Sequence, residues 1–366
     1  MYLIIFFLSS LFMLYSEKKQ NRFIKIILVW FSLLIPSIFA GLRDYTLGND
    51  VLLYGNYWFE KAVSYNSLYE YLIKANEYGI GIGYAFLNYM VSRISSSPHI
   101  FYFIYELLLM IILYWAIVPY KKNINIAYAY LIFLFSYYNS SFNILRQIGA
   151  IILVLFALQF VIKKNIIAFM LIIAIACTFH SSAIIAVVIY PCYQAINSKF
   201  KDVYKGLIVG GVIICVLGIE NIFNAFDSIN LFNLSRYKHY FTDTDIGGRF
   251  LRLIYWGIVF AIVIINKKKI YMIEKGKYAI LVWMCYFSLV LSVLSFIVST
   301  WATRIAFYFD ISQIITLPII ERLFSIKIGK KRMTGVVLIL LPFMYWVITF
   351  VVRNGGETYP YIFMQS

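Results

Sequence analysis

The stretch FNILRQIGAIILVLFALQFVIKKN, residues 142–165, decides how the chain is read. An apolar run over 147–162 has polar groups at one end, Asn143, Arg146 and Gln147, and a basic KKN at the other. A bilayer core about 30 Å thick takes a helix of about 20 residues at ~1.5 Å each, so this run has transmembrane character. Similar runs fall at 1–16, 24–40, 79–96, 99–118, 124–138, 165–179, 183–196, 206–219, 250–265, 278–298, 305–320 and 334–351. A chain that is 63% hydrophobic and only 13% charged lacks the polar sequence to cover a water-facing surface, where about 25% charged is usual. A transmembrane β-barrel would instead alternate in segments of about ten residues. The expected class is an all-α, polytopic helical membrane protein with about 12–13 spans, read as a single membrane domain over 1–366.

The connections between runs sort into two kinds. One kind is short and basic: EKKQNRFIK (17–25), YKKN (120–123), KKN (163–165), KFKDVYK (199–205), NKKKIYMIEKGK (266–277) and 321–332. The positive-inside rule assigns these to the cytoplasm. The other kind, 41–78, 139–146, 220–249, 299–304 and the tail from Arg353, then faces outward. The alternation fails once, near the front. The run 79–96, with Gly79, Gly81 and Gly83 at its start and Arg93 inside, is the segment expected to be re-entrant or half-buried, because non-helical backbone at membrane depth survives only against protein or a cavity.

The net charge of +16 follows from the basic loops and, without a long basic patch, points away from nucleic acid. Cys177, Cys192, Cys215 and Cys285 sit in apolar runs without metal or redox spacing and read as buried thiols. The first run has no basic residue before it and no cleavage-site pattern, so it reads as a retained span.

The outward positions gather unusual residues. GLRDYTLGND (41–50) interrupts a greasy chain with Arg43, Asp44 and Asp50. Asn143, Arg146 and Gln147 share one helix face. Arg249 and Arg252 follow a Gly-Gly pair, whose backbone either meets an anion or turns the chain. Arg304 opens a later span, and Glu357 lies in the tail. Charges at span ends are costly and mark functional sites. Guanidinium binds phosphate with planar, bidentate geometry, so several arginines at one membrane face suit a lipid-linked pyrophosphate; anionic lipid headgroups would satisfy some of them too. His180, in CTFHSSA, is a candidate general base. The TDTD run (242–245) reads as a solvated acidic loop rather than a metal motif. Rings such as Tyr45, Tyr54, Tyr57, Trp58 and Tyr359 serve an aromatic belt or stack on sugars.

The ordered set of GLRDYTLGNDVLLYGNYW, FNILRQIGA, TFHSSA, a late span-start arginine and a tail with Glu357 and YPY resembles the EpsG/Wzy-type polysaccharide polymerases, over nearly the whole chain. Arg43, Gly48, Asp50 and Tyr54, then Asn143, Arg146, Gln147 and Ala150, then Phe179, His180 and Ser182 are the matching positions. The usual Gly-Thr-Asp stands here as Gly-Asn-Asp (48–50), which loses a hydroxyl and keeps the acid. The resemblance implies a GT-C-like architecture with outward-facing active-site loops, in a bacterial cytoplasmic (inner) membrane. It implies an enzyme without cofactor or metal that joins undecaprenyl-pyrophosphate-linked oligosaccharide units into O-antigen, capsule or exopolysaccharide and releases undecaprenyl pyrophosphate. The implied partners are the lipid-linked donor and acceptor, the bilayer and a chain-length regulator protein.

On this reading Arg146, Arg249, Arg304 and Arg43 meet pyrophosphate. His180, Asp50 and Glu357 are the candidate bases, left unranked by the sequence. Asp44, Asn143, Gln147, Arg252 and Tyr54 contact substrate, with loops 41–78 and 220–249 holding sugars. An O-antigen ligase, a polyprenyl-phosphate-sugar glycosyltransferase, a lipid-linked oligosaccharide flippase and a scaffold are the competing readings.

Overall fold

A computed structural model describes residues 1–196, 245–298, 300–324, 327–328 and 331–364, with isolated positions between 203 and 218. Most of the apolar run 206–219, most of loop 220–249, Cys215, His239 and Asp243 lie outside the described residues. Those described form sixteen α-helices, with one antiparallel pairing of Lys327–Ile328 and Lys331–Arg332.

The chain opens with α1 (Tyr2–Lys18) and α2 (Arg22–Gly41), then a π-helical turn (Val51–Asn56). Three short helices follow, α3 (Tyr57–Ser64), α4 (Leu68–Glu77) and α5 (Ile82–Ser92). Next come α6 (Pro98–Ile117), α7 (Ile126–Ser136), α8 (Leu145–Ile162), α9 (Ile166–Phe179) and, after a 3-10 segment (Ser181–Val188), α10 (Ile189–Ile196). The last part holds α11 (Ile246–Ile265), α12 (Lys267–Met272), α13 (Ala279–Val298), α14 (Thr300–Asp310), α15 (Gln313–Leu323) and α16 (Thr334–Trp346).

Six of these, α2, α6, α8, α11, α13 and α16 continued through a π-helical turn (Val347–Val352), are long and apolar enough to cross a bilayer, and α14 with α15, bent by 48°, add a seventh if the pair is one span. The protein is therefore an all-α polytopic membrane protein. Among the described residues the other apolar runs of the expected twelve to thirteen form shorter helices, such as the 11 residues of α7 and the 14 of α9. The run 79–96 becomes α5, whose 11 residues rise about 16 Å, well short of a crossing. With α5 excluded as a span, the sorting of basic and non-basic loops no longer fails.

The helix ends obey local chemistry. The basic loops close on asparagines that cap the next helix: Asn21 accepts from Phe23 N at 2.9 Å, Asn125 from Tyr128 N at 2.7 Å and Asn165 from Ala168 N at 3.0 Å. Pro36 inside α2 supplies no N–H for the Ser32 carbonyl one turn back. The hydroxyls of Ser9 at 2.5 Å and Tyr130 at 2.9 Å donate to that carbonyl instead, which keeps the backbone satisfied away from water. In α8, 83% of the span is buried inside the protein, against 22% for the span of α16, so α8 is central and α16 peripheral.

The two kinds of loop collect at opposite ends. At the basic end Glu17 accepts from Ile126 N at 3.0 Å, Asn123 donates to Glu274 at 2.7 Å, and Arg322 donates to the Lys122 carbonyl. At the other end the tail returns to the first loop: Asp44 N donates to Ile362 O at 2.9 Å, Met364 N to Leu42 O at 2.9 Å, and Tyr2 Oη to Thr358 O at 2.5 Å.

Candidate functional site

Two polar features occupy the end away from the basic loops. The first is built around the start of α8. Arg146 donates to Gly79 O at 3.0 Å and stacks over the Tyr54 ring at 4.5 Å, which fixes its guanidinium beside the π-helical turn. Gln147, buried one residue on, donates to the Arg304 carbonyl at 2.8 Å and ties α8 to α14. His180 caps α9; its Nδ1 pairs with Ser182 Oγ at 2.6 Å, and Ser182 pairs with Tyr308 Oη at 2.9 Å.

Asp50 completes this cluster. The turn before it needs Gly48, whose φ is +100° and whose position lies against the Phe142 carbonyl, where a Cβ would approach to 2.4 Å. Burial pushes the Asp50 carboxyl up to about 6 against the pull of Arg146 and then Arg304. Burial first, and then the same two arginines, push His180 down to about 3, so its imidazole stays neutral near pH 7. Four residues singled out from sequence, Asp50, Arg146, His180 and Arg304, thus share one electrostatic environment although they come from four separate segments.

The second feature is an adjoining cavity of about 450 Å³. Helix α11 contributes Arg249 and Arg252, α14 contributes Thr303 and Phe307, and α16 with the turn after it contributes Tyr345, Thr349 and Arg353. Asn49, Asn354 and Glu357 close it. Asn49 and Thr303 precede Asp50 and Arg304 directly in the chain, so the two features draw on the same segments. Arg249 donates to Ser295 O at 3.2 Å. Arg252 pairs with Asp310, both side chains almost wholly buried, while its Nε has no partner among the described residues. Asp245 caps α11 by accepting from Gly248 N at 3.0 Å and binds Arg353 at 2.5 Å. One acid of the TDTD run is therefore a helix cap and ion-pair partner.

Other expected site residues sit elsewhere. Arg43 is 1% exposed, clamped between the rings of Tyr102 at 4.0 Å and Phe142 at 4.4 Å. Its guanidinium, expected to meet a phosphate, is enclosed by aromatic packing under the tail and lies outside the cavity lining. Asp44 accepts from Thr46 N at 2.9 Å and Thr46 Oγ1 at 2.7 Å, bonds that hold its carboxyl below the usual range and make it a turn residue. Asn143 packs against Gly356 of the tail. Glu357 faces the cavity, whose lining includes none of Asp50, Arg146, His180 or Arg304.

Sequence reasoning passed over Tyr308, Asp310 and Arg353. Asp310 did carry a signal, as a lone acid inside an apolar run. Tyr308 did not, being one of 32 tyrosines in an aromatic-rich chain.

The model of the EpsG family matches residues 26–363, nearly the whole chain. No curated protein and no solved structure matches. With Asp50, Arg146, His180 and Arg304 all inside the matched range, the chain belongs to the EpsG family.

Proposed function

We propose that this protein is a polysaccharide polymerase of the bacterial cytoplasmic membrane. It joins oligosaccharide units carried on undecaprenyl pyrophosphate, at the face of the membrane away from its basic loops. Membership of the EpsG family supports the general polymerase role. The observation that carries the finer reading is the meeting of one carboxylate, one neutral histidine and two arginines beside a cavity lined by further arginines.

The transfer forms a bond between an acceptor hydroxyl oxygen and the anomeric carbon of the donor. It breaks the bond from that carbon to the pyrophosphate oxygen, and the acceptor proton must go to a base. A base works best with a conjugate-acid pKa near the working pH. Asp50 at about 6 meets this condition and His180 at about 3 does not. Asp50 is therefore assigned as the base, and His180 as a neutral hydrogen-bonding group held by Ser182 and Tyr308. Arg146 and Arg304 take up the charge on the departing undecaprenyl pyrophosphate, a preorganised electrostatic role. The apolar helix faces accommodate the polyprenyl chains.

Gene deletion followed by gel analysis of the surface glycan tests this. The polymerase reading expects the ladder to vanish while single-unit product remains. Loss of all surface units would point to a flippase or ligase, and an unchanged ladder would overturn the proposal.

A further inference from the structure

The walls of the 450 Å³ cavity differ in chemistry. Arg249 and Arg252 come from α11. The wall formed by the first loop and the tail presents Asn49, Asn354 and Glu357, together with Arg353, whose charge is taken up by Asp245. A carboxylate there repels a second phosphate and suits a neutral polyol, since an ionised carboxylate only accepts hydrogen bonds.

The backbone around Glu357 is preset in an unusual shape. Asn354, Gly356 and Glu357 have φ of 48°, 69° and 55°. Left-handed backbone is strained for a non-glycine residue, and such strain gathers at ligand clamps. The turn holds this shape because both sides pin it. Gly48 N donates to Glu357 O at 3.1 Å, Glu357 N to Asn354 O at 3.0 Å, and Tyr359 N to Asn354 Oδ1 at 3.2 Å. The side chain of Glu357 remains exposed. With its amide oriented by the surrounding polar groups, Asn49 donates to Glu357 Oε2 at 2.7 Å. An amide and a carboxylate side by side offer a donor and an acceptor to neighbouring hydroxyls, and Tyr345 and Phe307 add ring surface.

We infer that Glu357 and Asn49 form a sugar subsite that selects which glycosyl diphosphate the cavity accepts as the second of the two lipid-linked substrates, its diphosphate on Arg249 and the donor's on Arg146 and Arg304. Glu357 is thereby a specificity-determining residue rather than the base. This rests on the polymerase reading above, because it takes the ligand to be a sugar joined to a diphosphate.

The test uses the full-length protein in lipid nanodiscs without sugar detergents. Saturation-transfer NMR follows binding of free D-glucose, D-galactose and N-acetylglucosamine, and titration calorimetry follows inorganic pyrophosphate. The wild type is expected to give a signal from at least one sugar. Glu357→Ala should weaken that signal about tenfold, the loss expected for a hydrogen bond to a charged group, with pyrophosphate affinity not weakened. Glu357→Gln, which keeps one acceptor oxygen, should fall between. No sugar signal in the wild type overturns the inference, as does an unchanged sugar signal or a parallel loss of pyrophosphate in Glu357→Ala. The deletion experiment fails or succeeds independently: a lost ladder with no sugar binding here would sink the subsite alone.

Discussion

At the scale of single residues, the chemistry turns on how burial and charge divide Asp50 from His180. Both feel Arg146 and Arg304, and both are partly buried. Burial raises an acid and lowers a base, so the two are driven apart on the pH scale. Asp50 works when ionised. Polymer synthesis in reconstituted membranes should therefore rise with pH through about 6 and level off above it. Arg146→Gln removes one of the charges that pull this value down, so the acidic limb should move to higher pH as the rate falls. Asp50→Asn should cost about 10²–10⁴-fold, the usual contribution of a general base. His180→Asn should cost less and leave the limb in place. An acidic limb that follows His180 instead would reverse the two roles. The sequence had already marked these four residues, since charge at a span end is conspicuous in an apolar chain. Their ranking was hidden, because it depends on burial by segments far apart in the chain. Arg43 shows the converse. It is as conspicuous as Arg146, yet it serves packing between Tyr102 and Phe142.

At the scale of elements, short helices and close contacts hold the cluster in place. Gly81, just ahead of α5, lies against the end of α9: an added Cβ would come within 2.3 Å of Thr178 O and 2.5 Å of Phe179 O. Backbone oxygens cannot rotate aside, so Gly81→Ala should shift the end of α9 and carry His180 with it. A displacement of ~1 Å at a catalytic group can cost about 10²-fold. We expect polymer output to drop by that order while the thermal transition falls only modestly; an alanine variant with normal output would show that the contact does not set the site. The Arg252–Asp310 pair links α11 to α14 in the same way. Asp310→Asn leaves a buried guanidinium without its counter-ion and should destabilise by about 3–5 kcal/mol. The double change Arg252→Met with Asp310→Leu should recover most of that stability in a thermal melt but not polymer output. Failure of the double variant to regain stability would mean the pair does more than neutralise charge. The glycines of 79–83 were legible as an anomaly in a span pattern. The partner they approach was not, since nothing in sequence links Gly81 to Thr178.

At the scale of the whole molecule, the polar connections are sorted by charge to opposite ends. Lys122, Glu274 and Arg322 meet at one end, and Asp44, His180, Asp245 and the tail belong to the other. This division was readable from loop composition alone, because lysine placement reflects membrane orientation rather than packing. The number of full-length helices was not, because buried polar residues such as Asn139 and Ser141 let a short helix end inside protein, where its backbone finds partners. With α5 confined to the non-basic end, residues 42–97 should all stay on one side. The expected arrangement puts the basic loops in the cytoplasm and the site outside. A cysteine placed at Asp44 or at Lys74, which is well exposed on α4, should then react with a membrane-impermeant maleimide in intact cells. A cysteine at Lys122 or Lys268 should react only after permeabilisation. Labelling of position 74 only in opened cells would mean that the chain crosses between 44 and 74. Labelling of position 122 in intact cells would invert the whole molecule and move the proposed chemistry to the cytoplasmic face.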